Sequence, residues 1–420
     1  MHKLKKIVLD NGLTVVFIKD KKKHTSSAYL EVKAGGLDKD FTLDDKEYHL
    51  NYGIAHFLEH YLIECSIYGN SSNMFSSDYV DSNGFTGLYR TMFYISTVHD
   101  FEDNLVKLLN IVNNPKFDKD NIEKVKVPVL REIEKKLDRP NRKANKEIFN
   151  CLFRDIPYDP TLGVKDDIKN LTIDELELFH KAFYNAKNEI LVISGNIDID
   201  NIIKIINDTY KKFNNDHISN KYIYKEKYTV VKDKCDTKGI DDSLRISYKI
   251  NISKFKPKEK DKLSYYISYM LINNFSDKTD FFKHILDDKI SSFSIGKHFD
   301  FGVDKNYLVF SLYLITDQYD IAEKELFNKM NNLEFDKDKF ILWKNSEIVG
   351  KINLLENISN IVRDYLDNVD LYDYYNYDDI NFIKELSIDE CKEYINRLDF
   401  SNYVVSRIRR DKDECNRESS

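Results

Sequence analysis

The chain repeats itself. Asn113-Asn114-Pro115-Lys116-Phe117-Asp118-Lys119-Asp120 returns as Asn331-Asn332-Leu333-Glu334-Phe335-Asp336-Lys337-Asp338, an offset of 331 − 113 = 218. Leu171-Thr172-Ile173-Asp174-Glu175 returns as Leu386-Ser387-Ile388-Asp389-Glu390, an offset of 386 − 171 = 215. Two echoes at nearly one spacing imply two similar halves, each with its own core. Length agrees, because single cores stop growing at roughly 250–300 residues and this chain has 420. The expected division is residues 1–213, a polar linker over 214–233, and residues 234–420.

Each half reads as mixed α and β. Asn11-Gly12 is a turn between the strand-like runs Lys6 to Leu9 and Leu13 to Ile18. Ser27 to Val32, Phe85 to Val98 and Ile190 to Ser194 also read as strands. Glu102 to Val112 and Asp120 to Leu137 carry apolar residues at helical period. Thr172 with Glu175, and Ser387 with Glu390, have capping-box spacing at the starts of equivalent helices. The expected class is α+β, with two homologous domains, each a mainly antiparallel sheet with helices packed on one side.

Composition removes several functions. The charge balance is 64 − 71 = −7, with both signs mixed along the chain. That excludes the basic face of a nucleic-acid binder. No run approaches the ~18 apolar residues of a membrane span, and Asp10, Asn11 and Gly12 interrupt the N-terminus before a signal-peptide core can form. Five scattered cysteines (Cys65, Cys151, Cys235, Cys391, Cys415) read as free thiols, and they place the expected location in a reducing cytoplasm.

The chemistry-bearing motif is His56-Phe57-Leu58-Glu59-His60. Residues four apart on a helix lie one above the other, so both imidazoles leave one face and can grip a single zinc ion. Glu59 stands beside His60, able to take a proton from water at the metal. This H-x-x-E-H order is the inverse of the commoner H-E-x-x-H. A catalytic zinc site needs a third protein ligand, and Glu123, Glu132 and Glu134 on the later amphipathic helix are the candidates.

These residues, with Asn83-Gly84-Phe85-Thr86, Thr91 and Tyr94, resemble the insulysin/pitrilysin metallopeptidases, in particular their short, processing-peptidase-like bacterial branch. Thr161-Leu162-Gly163, Phe183-Tyr184, Asn188 and Gly195-Asn196-Ile197-Asp198 also match, strongly in the first half and weakly in the second. The resemblance implies a Zn2+-dependent endopeptidase acting on short unfolded peptides in a closed chamber. It selects Glu132, in Val129-Leu130-Arg131-Glu132-Ile133, as third ligand beside His56 and His60, with Glu59 as general base. Asp138 and Pro140 follow where the family has similar residues. The resemblance also makes Asn83, Phe85 and Thr86 part of an edge strand that receives substrate.

The chain departs from the family in three ways. Val125 stands where a second, supporting Glu is usual. Pro128 lies inside the helix that carries Glu132, where it removes a backbone donor. The Arg and Tyr by which self-sufficient members hold substrate are missing, and their approximate equivalents are Leu286 and Ser292. The second half has no H-x-x-E-H, and the position 218 after His56 is Asn274. The expected partner is therefore a homologous second subunit in a heterodimer, with a homodimer as the alternative. A non-catalytic scaffold or peptide-binding subunit is the rival function.

Overall fold

A computed structural model describes residues 4–137, 139, 141–213, 217, 219–287, 295–300, 304–372, 375 and 379–411. The chain forms two compact units. The first joins Met1–Lys136 to Asp159–Tyr224, and the second joins Leu137–Tyr158 to Lys225–Ser420. The division is thus not the single crossing expected in 214–233. The excursion has a physical cause within the second unit. Helix Arg142–Leu152 buries Ala144, Ile148, Cys151 and Leu152. Arg245 donates to Asn145 Oδ1 at 2.9 Å, and the Ile240 N–H donates to Asn141 Oδ1 at 2.9 Å.

The strands of the first unit are β1 (Leu4–Val8), β2 (Thr14–Lys19), β3 (Ser26–Val32), β4 (Asp40–Leu43), β5 (Lys46–His49), β6 (Asp81–Thr86), β7 (Thr91–Thr97), β8 (Glu189–Gly195) and β9 (Ser219–Lys221). They make a six-stranded sheet in the order β1-β2-β8-β3-β7-β6 and a small sheet in the order β5-β4-β9. Alternation decides which face meets the helices. Val15, Phe17, Ala28, Leu30, Phe93, Ile95, Leu191 and Ile193 share one core with Leu58 and Leu62 of helix Ile54–Glu64, Leu105 and Leu109 of helix Phe101–Asn113, and Val125 and Val129 of helix Lys119–Leu137.

The second unit contains β10 (Lys234–Gly239), β11 (Ser243–Asn251), β12 (Ile295–Asp300), β13 (Tyr307–Ile315) and β14 (Tyr403–Arg410), in the order β10-β14-β11-β13-β12. This repeats β2-β8-β3-β7-β6 strand for strand. Each five-strand run begins with a parallel pair, β2 with β8 and β10 with β14, and continues antiparallel, while β1 adds antiparallel to the outside of β2 in the first sheet alone. The duplication seen in sequence is a duplication of topology, and the mainly antiparallel α+β class holds for both units.

One bond fixes the register of the repeat. Tyr61 Oη accepts the Asp118 N–H at 2.8 Å in the first unit, and Tyr269 Oη accepts the Asp336 N–H at 3.0 Å in the second. The Asp residues differ by 336 − 118 = 218 and the Tyr residues by 269 − 61 = 208. The counterparts of His56, Glu59 and His60 are therefore Ser264, Ile267 and Ser268, and not Asn274, which a uniform 218 offset picks. Asn274 instead packs fully buried, with its Oδ1 accepting the Glu334 N–H at 2.8 Å. The counterpart of Glu132 is Gly350. No metal-ligand set is repeated at these positions.

Three local expectations sharpen. Phe85 to Val98 is two strands, because Gly87 to Arg90 turns the chain and the Gly87 N–H closes on Arg90 O at 2.8 Å. Thr172 and Glu175 form the full reciprocal capping box. Ser387 accepts the Glu390 N–H at 3.2 Å, but the Glu390 carboxylate is held by Lys262 at 2.6 Å and by the Tyr266 hydroxyl, so that box is half made. Among the described residues no helix is long and apolar enough to cross a membrane. Asp138, Pro140 and Ser292 lie outside the described residues, as does the Leu286 side chain.

Candidate metal centre

Helix Ile54–Glu64 starts at Gly53, whose φ of 89° lies in the left-handed region that favours glycine. A Cβ there would meet Leu162 O at 2.7 Å, so a side chain is barred for space as well. Ile54, Ala55, Phe57, Leu58, Tyr61 and Leu62 bury one broad face. That burial carries His56 and Glu59 inside as well, at 8% and 6% exposure, while His60 stays half-buried.

The third carboxylate arrives from helix Lys119–Leu137, which runs unbroken through Pro128. Val125, Val129 and Ile133 are buried and fix its rotation. Glu132 then points at both imidazoles: its Oε2 lies 3.4 Å from His56 Nε2 and 3.5 Å from His60 Nε2. Glu134 turns away to Lys165, and Glu123 pairs with Lys126 at 2.7 Å. Of the three candidate glutamates only Glu132 is at the site. Among the described residues, His56, His60 and Glu132 are the one His/Cys/Asp/Glu group whose ligand atoms all lie within 4.8 Å of one another.

Neighbouring residues orient these three. His60 Nδ1 sits 3.2 Å from Glu64 Oε1, an arrangement that leaves Nε2 for the centre. Lys136 holds the other Glu132 oxygen at 3.0 Å. Both partners are four residues along their helix, a spacing legible in the sequence. His56 Nδ1 is buried with no hydrogen-bond partner among the described residues, and Val125 adds none.

Glu59 is aimed from below. Thr86 Oγ1 donates to its Oε2 at 2.7 Å. Gly84 makes room for it: a Cβ there would lie 3.0 Å from Glu59 Oε1 and 2.9 Å from Ile63 Cδ1. Thr86, expected to touch substrate, thus spends its hydroxyl on Glu59. Asn83 is exposed, with Oδ1 accepting the Gly84 N–H at 2.9 Å. Phe85 lies half-buried under the Arg90 guanidinium at 5.7 Å. All four are on β6, which pairs with β7 on one side and forms the outer edge of the sheet.

The electrostatics describe a cation trap. Burial disfavours the charged form of His60, but its bonds to Glu132 and Glu64 and the field of Glu59 outweigh that and push it up to about 9. Glu132 is held well below the usual carboxylate range by the hydrogen bonds to His56 and His60. Burial raises Glu59, with His56 and the Thr86 hydroxyl partly offsetting it. Two imidazole nitrogens and one carboxylate oxygen facing one point are the donor set of a catalytic zinc site with an open position. The residues present fit the ion.

A repeated α+β unit, with an inverted His-x-x-Glu-His helix in the first copy only, is the architecture of the insulinase-type metallopeptidases. Residues 14–162 match the family model described as Insulinase (Peptidase family M16), and residues 170–337 match the Peptidase M16 inactive domain. The chain belongs to peptidase family M16. It is 30% identical over 207 residues to the uncharacterized zinc protease YmfH of Bacillus subtilis, covering 49% of this chain and 48% of that protein. It is 28% identical over 233 residues to the chloroplastic stromal processing peptidase of Arabidopsis thaliana, covering 52% of this chain and 17% of that protein. The matches thus span about half, or less, of these curated relatives. Among solved structures, an M16-like peptidase from Alicyclobacillus acidocaldarius superposes with a TM-score of 0.84 at 18% identity, covering 97% of this chain and 98% of that one. A protease from Helicobacter pylori superposes with a TM-score of 0.78 at 17% identity, covering 97% and 100%. At these identities the superpositions bear on fold alone.

Proposed function

We propose that the chain is a zinc-dependent endopeptidase, or the catalytic subunit of one, that hydrolyses short unfolded peptides. The observation that carries this reading is Glu132 Oε2 at 3.4 and 3.5 Å from the two imidazoles, with the buried Glu59 one residue from His60. His56, His60 and Glu132 would hold the ion. When bound, zinc supplies a Lewis acid that polarises the scissile carbonyl and brings the pKa of water towards ~7.

The chain's own residues do the rest. Glu59 takes the proton from the attacking water and returns it to the leaving amine, so no covalent enzyme intermediate forms. Burial favours this, because a carboxylate with a raised pKa holds a proton more readily than an exposed one. Thr86 fixes which Glu59 oxygen is free. The open edge of β6 can accept a peptide as an added strand, which gives affinity through backbone bonds and little sequence selectivity.

A homologous second subunit completes the proposal. The second unit has Ser264, Ser268 and Gly350 where the first has His56, His60 and Glu132, and the sequence lacks the family's substrate-holding Arg and Tyr. A partner supplying those groups would close the chamber. The direct test is hydrolysis of a quenched-fluorescence peptide library by the purified chain, with chelator and then zinc added. Activity lost to chelator and restored by zinc supports the reading. No hydrolysis under any metal condition, with or without a homologous partner, favours the non-catalytic alternative.

A further inference from the structure

Helix Lys337–Leu355 of the second unit is the repeat's copy of helix Lys119–Leu137. Both have 19 residues, and both start one residue after the Asp whose N–H a tyrosine hydroxyl accepts. Their inner faces agree. Phe340 and Trp343 are buried in the copy where Ile122 and Val125 are buried in the original, an offset of 340 − 122 = 218.

Their outer faces differ. Glu123, Lys124, Arg131 and Glu134 are exposed in the first unit, and 218 residues on stand Ile341, Leu342, Val349 and Ile352. Those four aliphatic side chains also face solvent, at 44%, 69%, 56% and 42% exposure. Four charges have become four hydrocarbons while the packing inside is kept. The other exposed residues between Phe340 and Leu355 are Asn345, Ser346, Gly350 and Asn353, so that stretch of the outer face carries no charge. A surface helix ordinarily shows water a polar face, and one that is apolar all round is a helix with something packed on both sides.

The pattern and the area say what covers it. Leu342, Asn345, Val349 and Ile352 follow at spacings of three, four and three, the a and d positions of a helix-pairing seam. Asn345 is the one polar member, the kind of residue that fixes register in such a seam and costs it stability. An isologous pair uses one patch twice, so this chain alone supplies both halves of the contact. With no charge between Phe340 and Leu355 on that face, two copies meet there without like-charge contact. An apolar patch of this kind on a monomer measures about 300–600 Å². Two copies meeting on it bury roughly twice that, at or below the ~1,200 Å² where standard stable interfaces begin. The area therefore suits a reversible pair and not an obligate one.

We propose that the outer face of helix Lys337–Leu355 is a self-association surface, on which a second copy of this chain packs the same helix. Leu342 and Val349 are its central contacts, Ile341 and Ile352 flank them, and Asn345 lies within the seam. The contact lies on the second unit alone. It depends neither on the peptidase reading nor on the homologous subunit proposed above.

The test is sedimentation of the full-length chain from about 1 to 200 µM. The wild type is expected to pass reversibly from monomer to dimer within that range, as a contact below standard size should. Leu342→Lys with Val349→Arg restores the residues that the first unit carries at the same places. It should weaken pairing at least tenfold with zinc content and thermal melting unchanged. Should that double variant fail to fold, Ile352→Glu, which copies Glu134, takes its place. Asn345→Leu should act in the opposite direction and tighten the dimer at least tenfold, an outcome that damage to the fold does not produce. A wild type that stays monomeric to 200 µM, a dimer that the charged variants leave intact, or an Asn345→Leu chain that pairs no better would overturn the proposal. A monomeric wild type that binds a homologous subunit, and loses it in the charged variants, would overturn it too and give the face to that subunit.

Discussion

Thr86 Oγ1 donates to Glu59 Oε2 at 2.7 Å, linking the edge strand to the helix that carries both histidines. The bond acts on orientation and on charge at once. It leaves Oε1 as the oxygen free to meet water, and it restrains a carboxyl that burial raises. Thr86→Val keeps the β-branched shape and removes the donor. Glu59 should then rise further, moving the acid limb of the kcat/KM profile to higher pH, while zinc content stays unchanged. A profile that does not move would take Thr86 out of the mechanism.

Gly84 should be nearly as sensitive, for a steric reason. The added methyl of Gly84→Ala would press on Glu59 Oε1 and Ile63 Cδ1. Displacement of a catalytic group by about 1 Å costs on the order of a hundredfold in rate. The expected result is a loss of that order in kcat with metal binding retained, measured beside zinc content.

The two glutamates near Pro128 separate by function. Glu132→Ala should weaken zinc binding by at least tenfold, because it removes one of three ligands. Glu134→Ala should leave it alone, because that carboxylate pairs with Lys165. Competitive titration against a chromogenic chelator reads both. Equal losses would mean that the helix face is not the one described.

Zinc uptake should displace a proton. His60 is raised from 6.5 to about 9 in the metal-free chain, so it is protonated at pH 7. Binding is expected to release about one proton, read by calorimetry in buffers of different ionisation enthalpy. The same shift sets a stability window. A raised folded pKa stabilises fully below the unfolded value of 6.5 and loses that contribution as pH rises through about 9. The metal-free melting temperature should fall across that window, and the zinc-loaded one should fall less.

The repeat makes a paired prediction about stability. Tyr61→Phe and Tyr269→Phe each leave a backbone N–H, of Asp118 or Asp336, without its acceptor. Both Asp residues are exposed, so each loss should cost about 0.5–1.5 kcal/mol, the net worth of one hydrogen bond, in chemical denaturation. A large effect in one unit and none in the other would show that the register of the repeat has been drawn wrongly.

Much of this was legible in the sequence, because it rests on local periodicity. The two echoes gave the duplication, the i, i+4 spacing gave the paired imidazoles, and Thr172 with Glu175 announced a helix start. Glu132 needed the family segment, since Pro128 left the face of its helix open; the burial of Val125 and Val129 is what fixes it. What stayed hidden was tertiary. Ten more residues separate Tyr269 from Asp336 (336 − 269 = 67) than separate Tyr61 from Asp118 (118 − 61 = 57), so constant spacing pointed to Asn274 where the fold has Ser264. The Thr86–Glu59 contact joins residues 27 apart, and the crossing of Leu137–Tyr158 into the second unit depends on contacts 97 to 100 residues distant.

The partner proposal predicts low activity for the isolated chain. Adding a homologous subunit that carries the missing Arg and Tyr should raise kcat/KM at least tenfold and shift the solution mass to that of a heterodimer. Full activity as a homodimer, unchanged by that addition, would remove the partner and leave the metal site as described.

The central claim is that Glu59 is the proton-transferring group of a zinc site made by His56, His60 and Glu132. The most direct measurement sets zinc content beside peptide hydrolysis for the wild-type chain, Glu59→Gln and His60→Ala. The account predicts close to one zinc per chain in the first two, hydrolysis in the wild type, a loss of about 10²–10⁴-fold in Glu59→Gln, and loss of both metal and activity in His60→Ala. A wild-type chain that binds no zinc, or a Glu59→Gln chain that hydrolyses peptide at the wild-type rate, would contradict it.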